Sequence, residues 1–209
     1  MVFTEVLKTF ESKLKTINMN AQEALMALKE GNKRYVNNEL KHPHLDQHRR
    51  HELEGGQTPF AVILSCADSR VVPEFLFDQG LGDLFVIRVA GNVAKDKVIA
   101  SIEYAVANLN SKLIVVLGHE KCGAVHAAMG DGPFPGHLGA LLDNIKPAVH
   151  IAKTLEGDVL TNAVKLNARI VSGNVAEADP IISEHVKNGD VLVVPAYYKL
   201  ENGEVEFLT

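Results

Sequence analysis

Residues 60–70 read FAVILSCADSR, and residues 113–122 read LIVVLGHEKC. In each, a short run of β-branched and apolar residues leads without a break into a polar segment that carries a cysteine. A run apolar at every position, rather than at every second one, fits a strand covered on both faces. That is the pattern of parallel sheets packed between helices. Residues 84–89 (LFVIRV) and 191–196 (VLVVPA) share it. Between the second and third runs, Val98, Ile102, Ala105, Val106 and Leu109 recur at helical spacing. Helical patterns also cover 138–152, where Pro147 is expected to interrupt the helix, 160–170 and 180–186. Strands alternating with helices predict an α/β fold: an open, mainly parallel sheet flanked by helices. Residues 197–208, with Asn202-Gly203 at their centre, read as a C-terminal edge hairpin.

Upstream of the first strand, Phe3, Val6, Leu7, Phe10, Leu14 and Ile17 mark an amphipathic helix over 3–17. Asn20 with Glu23 reads as a capping box opening a second helix, with Gly31 as its expected stop. Residues 41–56 are polar and His-rich, a loop or a helix–loop. The predicted organisation is one domain over 1–209 with an N-terminal helical arm over 1–37. The arm's apolar face must be buried, either on its own domain or across a partner subunit.

Composition narrows the function. With 21 Lys plus Arg against 26 Asp plus Glu, the formal charge of the 209-residue chain is −5. Without a basic excess there is no sequence-independent grip on nucleic acid phosphates. The apolar runs last five or six residues where a bilayer span needs about 20, so no membrane partner is expected. Glu5, Lys8, Glu11 and Lys13 break any signal-peptide core, so a cytoplasmic protein is expected. Two cysteines are too few for a disulfide scaffold. Gly80, Gly82 and Gly91 do not form a dinucleotide fingerprint, because Phe85 stands where its last glycine belongs.

The chemistry lies where the strands end. Ligands of open parallel sheets bind at the carboxyl ends of the strands, near the topological switch point. Cys66 follows the first strand, and His119 and Cys122 follow the third. Two thiolates and an imidazole suit zinc, and three protein ligands leave a fourth tetrahedral position for water. Alone, each of these residues is more often a small buried side chain or a satisfied polar one; their conjunction after two buried strands is what points to a metal. Asp68 and Arg70 add a second layer. If the segment stays extended, 66, 68 and 70 point the same way, and Arg70 can hold the Asp68 carboxylate bidentately.

These residues carry a resemblance. CADSR (66–70), GDLFVIRVAGN (82–92), SIEYA (101–105) and GHEKCGAV (118–125) are similar, in order and separation, to the β-class carbonic anhydrases, and the likeness begins at GNKRY (31–35). The resemblance implies one Zn²⁺ per subunit on Cys66, His119 and Cys122, and a catalytic dyad of Asp68 and Arg70. It also implies reversible hydration of CO2 to bicarbonate and a proton by zinc-bound hydroxide. Gln57, Phe85 and Tyr104 stand at the offsets of the family's substrate pocket in its plant-type variant, and Gly123 at the position whose N–H faces substrate. A homodimer or homotetramer is implied, with the N-terminal helices reaching over the partner. Zn²⁺ with two thiolates and a neutral imidazole sums to zero charge, against +2 for a three-histidine site. Its water should therefore be acidified less, and activity should rise through the mildly alkaline range. His126 and His137 follow the zinc loop and read as ordinary helix or loop histidines, with proton transfer as the sharper alternative. Rival readings are a hydrolase of CS2 or COS on the same zinc constellation, or a zinc-stabilised binding module without chemistry.

Overall fold

The computed structural model describes residues 19–130 and 132–208; the helix expected over 3–17 lies outside them. Five strands, β1 (Ala61–Ser65), β2 (Leu84–Arg88), β3 (Leu113–His119), β4 (Leu192–Tyr198) and β5 (Val205–Phe207), form one sheet in the order β2-β1-β3-β4-β5. All pairings are parallel except the last. The chain leaves β1 for a neighbour on one side and returns to β3 on the other. The topological switch point therefore falls between β1 and β3.

The helices are α1 (Ala21–Val36), α2 (Gln47–Glu52), α3 (Pro73–Leu76), α4 (Asp96–Leu109), α5 (Gly123–Ala128), α6 (Leu138–Asp143), α7 (Lys146–Ala152), α8 (Val159–Ala176) and α9 (Ile181–Lys187). Alternate strand residues face opposite layers, as the pleat requires. Val62, Leu64, Ile114 and Val116 meet Ile102 of α4, Val125 of α5, Val149 of α7 and Val164 of α8. On the other face, Ala61, Ile63, Val115 and Leu117 meet Ala24, Leu25 and Leu28 of α1, with Leu76 and Phe77. Residues 21–36 of the expected arm thus lie against their own sheet. No helix among the described residues is long and apolar enough to cross a membrane.

Local expectations meet mixed outcomes. The capping box forms: Asn20 Oδ1 accepts from the amides of Gln22 and Glu23, and Glu23 accepts from Asn20 N. Gly31 does not stop α1, which runs five residues further. Its glycine serves packing instead, since a Cβ there would lie 1.7 Å from the Phe77 carbonyl oxygen. Pro147 sits in the first turn of α7, where its missing N–H costs nothing, and the break falls just before it. The C-terminal hairpin pairs Ala196, Tyr197 and Tyr198 with Phe207, Glu206 and Val205. Of the four apolar runs, 84–89 departs from the two-sided burial read from its sequence. β2 is the sheet's edge, and its residues are half-buried or exposed.

Candidate metal centre

Cys66 is the first residue past β1, His119 the last of β3, and Cys122 the residue that precedes α5. Adjacent parallel strands in register bring the two strand ends side by side: Ser65 pairs with Leu117, two residues short of His119. All three side chains are buried, and their ligand atoms lie within 4.8 Å of one another. The Cys66 and Cys122 sulfurs are 4.0 Å apart. Two sulfurs on a tetrahedral zinc, at about 2.3 Å each, are separated by about 3.8 Å. The pair is therefore already spaced for a shared ion rather than for a disulfide, which needs about 2 Å.

His119 is poised by its neighbour. Its Nδ1 lies 2.9 Å from the Glu120 carbonyl oxygen, which can only accept, so Nδ1 carries the proton. Nε2 then keeps a bare lone pair, buried and without a hydrogen-bond partner among the described residues. An orphaned buried acceptor is costly, and a cation bound between it and two sulfurs removes the cost. The surroundings bias the two thiols in opposite directions. The Cys66 thiol is pushed down, first because Cys122 donates to it. The Cys122 thiol is pushed up, first by that same bond and then by burial. Of the two sulfurs, Cys66 is the one whose surroundings favour the thiolate form that metals take as ligand.

Asp68 stands at the rim of this trio, its Oδ2 3.9 Å from His119 Nε2. Arg70 holds it with a fork: Nε to Oδ1 at 2.9 Å and Nη2 to Oδ2 at 2.8 Å, with the Arg70 amide also donating to Oδ1 at 3.0 Å. The segment does not stay extended. Val71 N donates to Asp68 O, and the chain turns, so the dyad closes around a turn rather than along a strand. The Arg70 fork holds the Asp68 carboxyl well below the usual carboxylate range, against burial that pushes it up.

Two positioning groups escaped the sequence reading. Arg88, at the end of β2, donates to the Asp68 carbonyl at 2.7 Å and to the Cys66 carbonyl at 3.4 Å. A lone arginine inside the apolar run LFVIRV was the available signal. Glu120 ties the ligand loop to the hairpin: its amide donates to Tyr198 O, and its carboxylate accepts from Glu201 N.

Of the residues expected around substrate, Gly123 opens α5 beside Cys122, and a Cβ there would meet nothing within 4 Å. The other three do not gather at the trio within one chain. Phe85 and Tyr104 pack on each other, ring centroids 6.4 Å apart, and Tyr104 is half-exposed. Phe85 pairs with Val62, four residues before Cys66, which is about 13 Å along the strand. Gln57 is exposed in a shallow cavity with Arg50, Leu53 and Gly82. His126 and His137 are also exposed; His126 N donates to the Cys122 carbonyl at 2.9 Å within the first turn of α5, and no side-chain hydrogen bond among the described residues joins either imidazole to the trio.

A buried Cys-His-Cys trio at the switch point of a parallel sheet, with an ionised aspartate at its rim, defines a metalloprotein whose centre is built by strand ends. Comparison with known proteins narrows the class. The family model described as carbonic anhydrase matches residues 61–205. Carbonic anhydrase 2 of Mycobacterium tuberculosis is 43% identical over 193 residues, 89% of this chain and 92% of that one. A carbonic anhydrase of Mycolicibacterium smegmatis is 39% identical over 196 residues, covering 90% and 94%. Among solved structures, a β-carbonic anhydrase from Sordaria macrospora, described as tetrameric, superposes with a TM-score of 0.71 at 29% identity, covering 78% of this chain and 87% of that one. The chain belongs to the carbonic anhydrase family, in its β class.

Proposed function

We propose that this protein catalyses the reversible hydration of CO2 to bicarbonate and a proton, with zinc held by Cys66, His119 and Cys122. The observation that carries the reading is the bare, buried Nε2 of His119 facing two cysteine sulfurs 4.0 Å apart, with the Asp68 carboxylate 3.9 Å away. Two thiolates and one imidazole are a zinc donor set, and the softness of sulfur disfavours magnesium or calcium. Bound zinc supplies a Lewis acid that makes water nucleophilic near neutral pH.

The chain's own residues do the rest. Ionised Asp68 can only accept hydrogen bonds. It holds the attacking water's O–H toward itself and leaves a lone pair for the carbon of CO2. Arg70 keeps that carboxylate in one orientation and charged. The amide of Gly123, next to the third ligand, faces the space where the product oxygens would lie. Gln57, Phe85 and Tyr104 form the substrate wall: an amide donor for bicarbonate and two rings for a nonpolar gas.

The distance of about 13 Å from Cys66 to Phe85 along its own sheet supports a wall supplied by a second copy of the chain. A homo-oligomer, a dimer or a tetramer, follows, and the half-buried β2 edge that carries Phe85 is the surface it would cover. The single domain over 1–209 fits the same assembly, although residues 21–36 of the expected arm pack on their own sheet rather than on a partner. Both cysteines are free, which suits the reducing cytoplasm.

Stopped-flow CO2 hydration, with zinc quantified on the same sample, tests the proposal. One zinc per chain and hydration above the buffer rate are expected. Bound zinc without hydration would reduce the centre to a structural one, and no zinc would remove it altogether.

A further inference from the structure

α8 buries a stripe formed by Ala163, Val164, Asn167, Ala168, Val171, Ser172 and Val175. Asn167 is a polar residue at the centre of that apolar stripe and is 1% exposed. Burying an amide there is costly unless it is bonded. Its Oδ1 has no partner among the described residues, while its Nδ2 donates to the Gly91 carbonyl oxygen at 2.9 Å. That one bond is what the side chain does in the fold.

Gly91 connects it to the trio. Its amide N–H points at Cys66 Sγ, with nitrogen and sulfur 3.4 Å apart. The peptide takes this direction because Gly91 has φ +69°, and a Cβ there would lie 2.5 Å from Ile145 Cδ1. Asn167 grips the residue's carbonyl, so the helix sets the aim of the loop. Among the described residues, no other hydrogen bond joins this helix to loops 90–92 or 66–70. We infer that Asn167 is a positioning residue for the metal centre, fixing Gly91 so that its N–H is donated to the Cys66 sulfur. The inference rests on the metal-binding reading given above.

The chemical consequence follows from the charge on sulfur. An N–H aimed at a thiolate withdraws electron density, so the sulfur gives less of it to the metal. In a site whose ligand charges already cancel those of the ion, one such bond leaves the ion a better Lewis acid. The same bond pins the Cys66 sulfur in place. Outer-shell partners of this kind typically change metal affinity 10- to 100-fold.

The experiment replaces zinc by Co²⁺ and compares wild type, Asn167→Leu and Ser172→Ala. Leucine keeps the branched outline of the Asn167 side chain, with the same number of heavy atoms, and removes its donor. Ser172 lies on the same buried stripe, its hydroxyl without a partner among the described residues, so its alanine variant controls for general loosening of the helix. In Asn167→Leu, the sulfur-to-cobalt charge-transfer band is expected to move to lower energy, and metal loss to a chelator to quicken about 10-fold or more. Ser172→Ala should move neither. Wild-type spectrum and release rate in Asn167→Leu would overturn the inference, as would equal changes in both variants. A wild type that takes up no cobalt would overturn the metal centre itself. Should Asn167→Leu not fold, ¹¹³Cd-loaded wild type decides the matter. A coupling between cadmium and the Gly91 amide proton is expected through the N–H···S bond, and its absence would overturn the assignment.

Discussion

The rim formed by β1 and β3 and the edge formed by β2 are built from similar apolar runs, yet they finish differently. β1 and β3 are buried on both faces, and their ends carry a ligand trio that one chain completes by itself. β2 has the same kind of sequence but, among the described residues, one unpaired side; its Phe85 packs partly on the core and against Tyr104 of α4, which is half-exposed. The contrast separates two jobs. Holding the ion demands sub-ångström placement, which a packed sheet interior provides. Enclosing a small gas demands only an apolar surface, which a neighbouring subunit can bring.

The largest effect expected from this contrast is at the rim. Cys122→Ser should abolish zinc retention, read by elemental analysis, and drop hydration to the buffer rate, because a neutral hydroxyl replaces a thiolate in a three-ligand set. Full zinc occupancy in that variant would break the claim that the trio is the whole protein contribution. Asp68→Asn should retain zinc and lose on the order of 100-fold in turnover, since a donor replaces an acceptor beside the reacting water. A turnover near wild type would remove Asp68 from the reaction.

The edge gives a smaller but more discriminating effect. Phe85→Ala should lower kcat/KM about 10-fold. Mixed oligomers of Phe85→Ala and Cys66→Ser subunits then sharpen the comparison. If the wall comes from the partner, each mixed pair contains one site with both an intact trio and an intact wall, and activity should recover. If the wall belongs to the same chain, mixing recovers nothing.

The smallest effect concerns pH and stability. Asp68 is depressed by its Arg70 fork, so its folded carboxyl releases the proton more readily than the unfolded one. The pairing therefore stabilises the fold above the ordinary carboxylate value of about 4, and that contribution is lost as pH falls through the lower folded value. Arg70 is half-exposed, so the contribution is modest. Thermal unfolding of Arg70→Met should fall slightly below wild type at pH 7, and the gap should close as pH drops below 4. A gap that widens in acid would reverse the assignment of sign.

Most of the sheet was legible because its signal is local. Runs such as AVILS and LIVVL declare strands covered on both faces, and the residue that follows each run lands at the sheet's carboxyl edge. The trio could be named because its residue types have few other joint uses. What remained unread depends on partners distant in sequence. Gly31 looks like a helix stop until the Phe77 carbonyl is seen against it. The turn at Asp68 is the local exception, closed by the Val71 amide on the Asp68 carbonyl and by the Arg70 amide on Asp68 Oδ1, an Asx turn that an extended reading of 66–70 passes over. The half-open state of β2 follows from strand order, since its composition matches that of the interior strands. Asn167 gave a signal, a polar residue at core spacing in α8, but its target lies 76 residues away.

The tether from Glu120 to the terminal hairpin has a practical side. The loop between His119 and Cys122 is clasped by Tyr198 and Glu201, only a few residues from the chain's last strand. Proteases that trim β5 would loosen the ligand loop through that clasp. Recombinant material trimmed at this end should shed its ion first and unfold later.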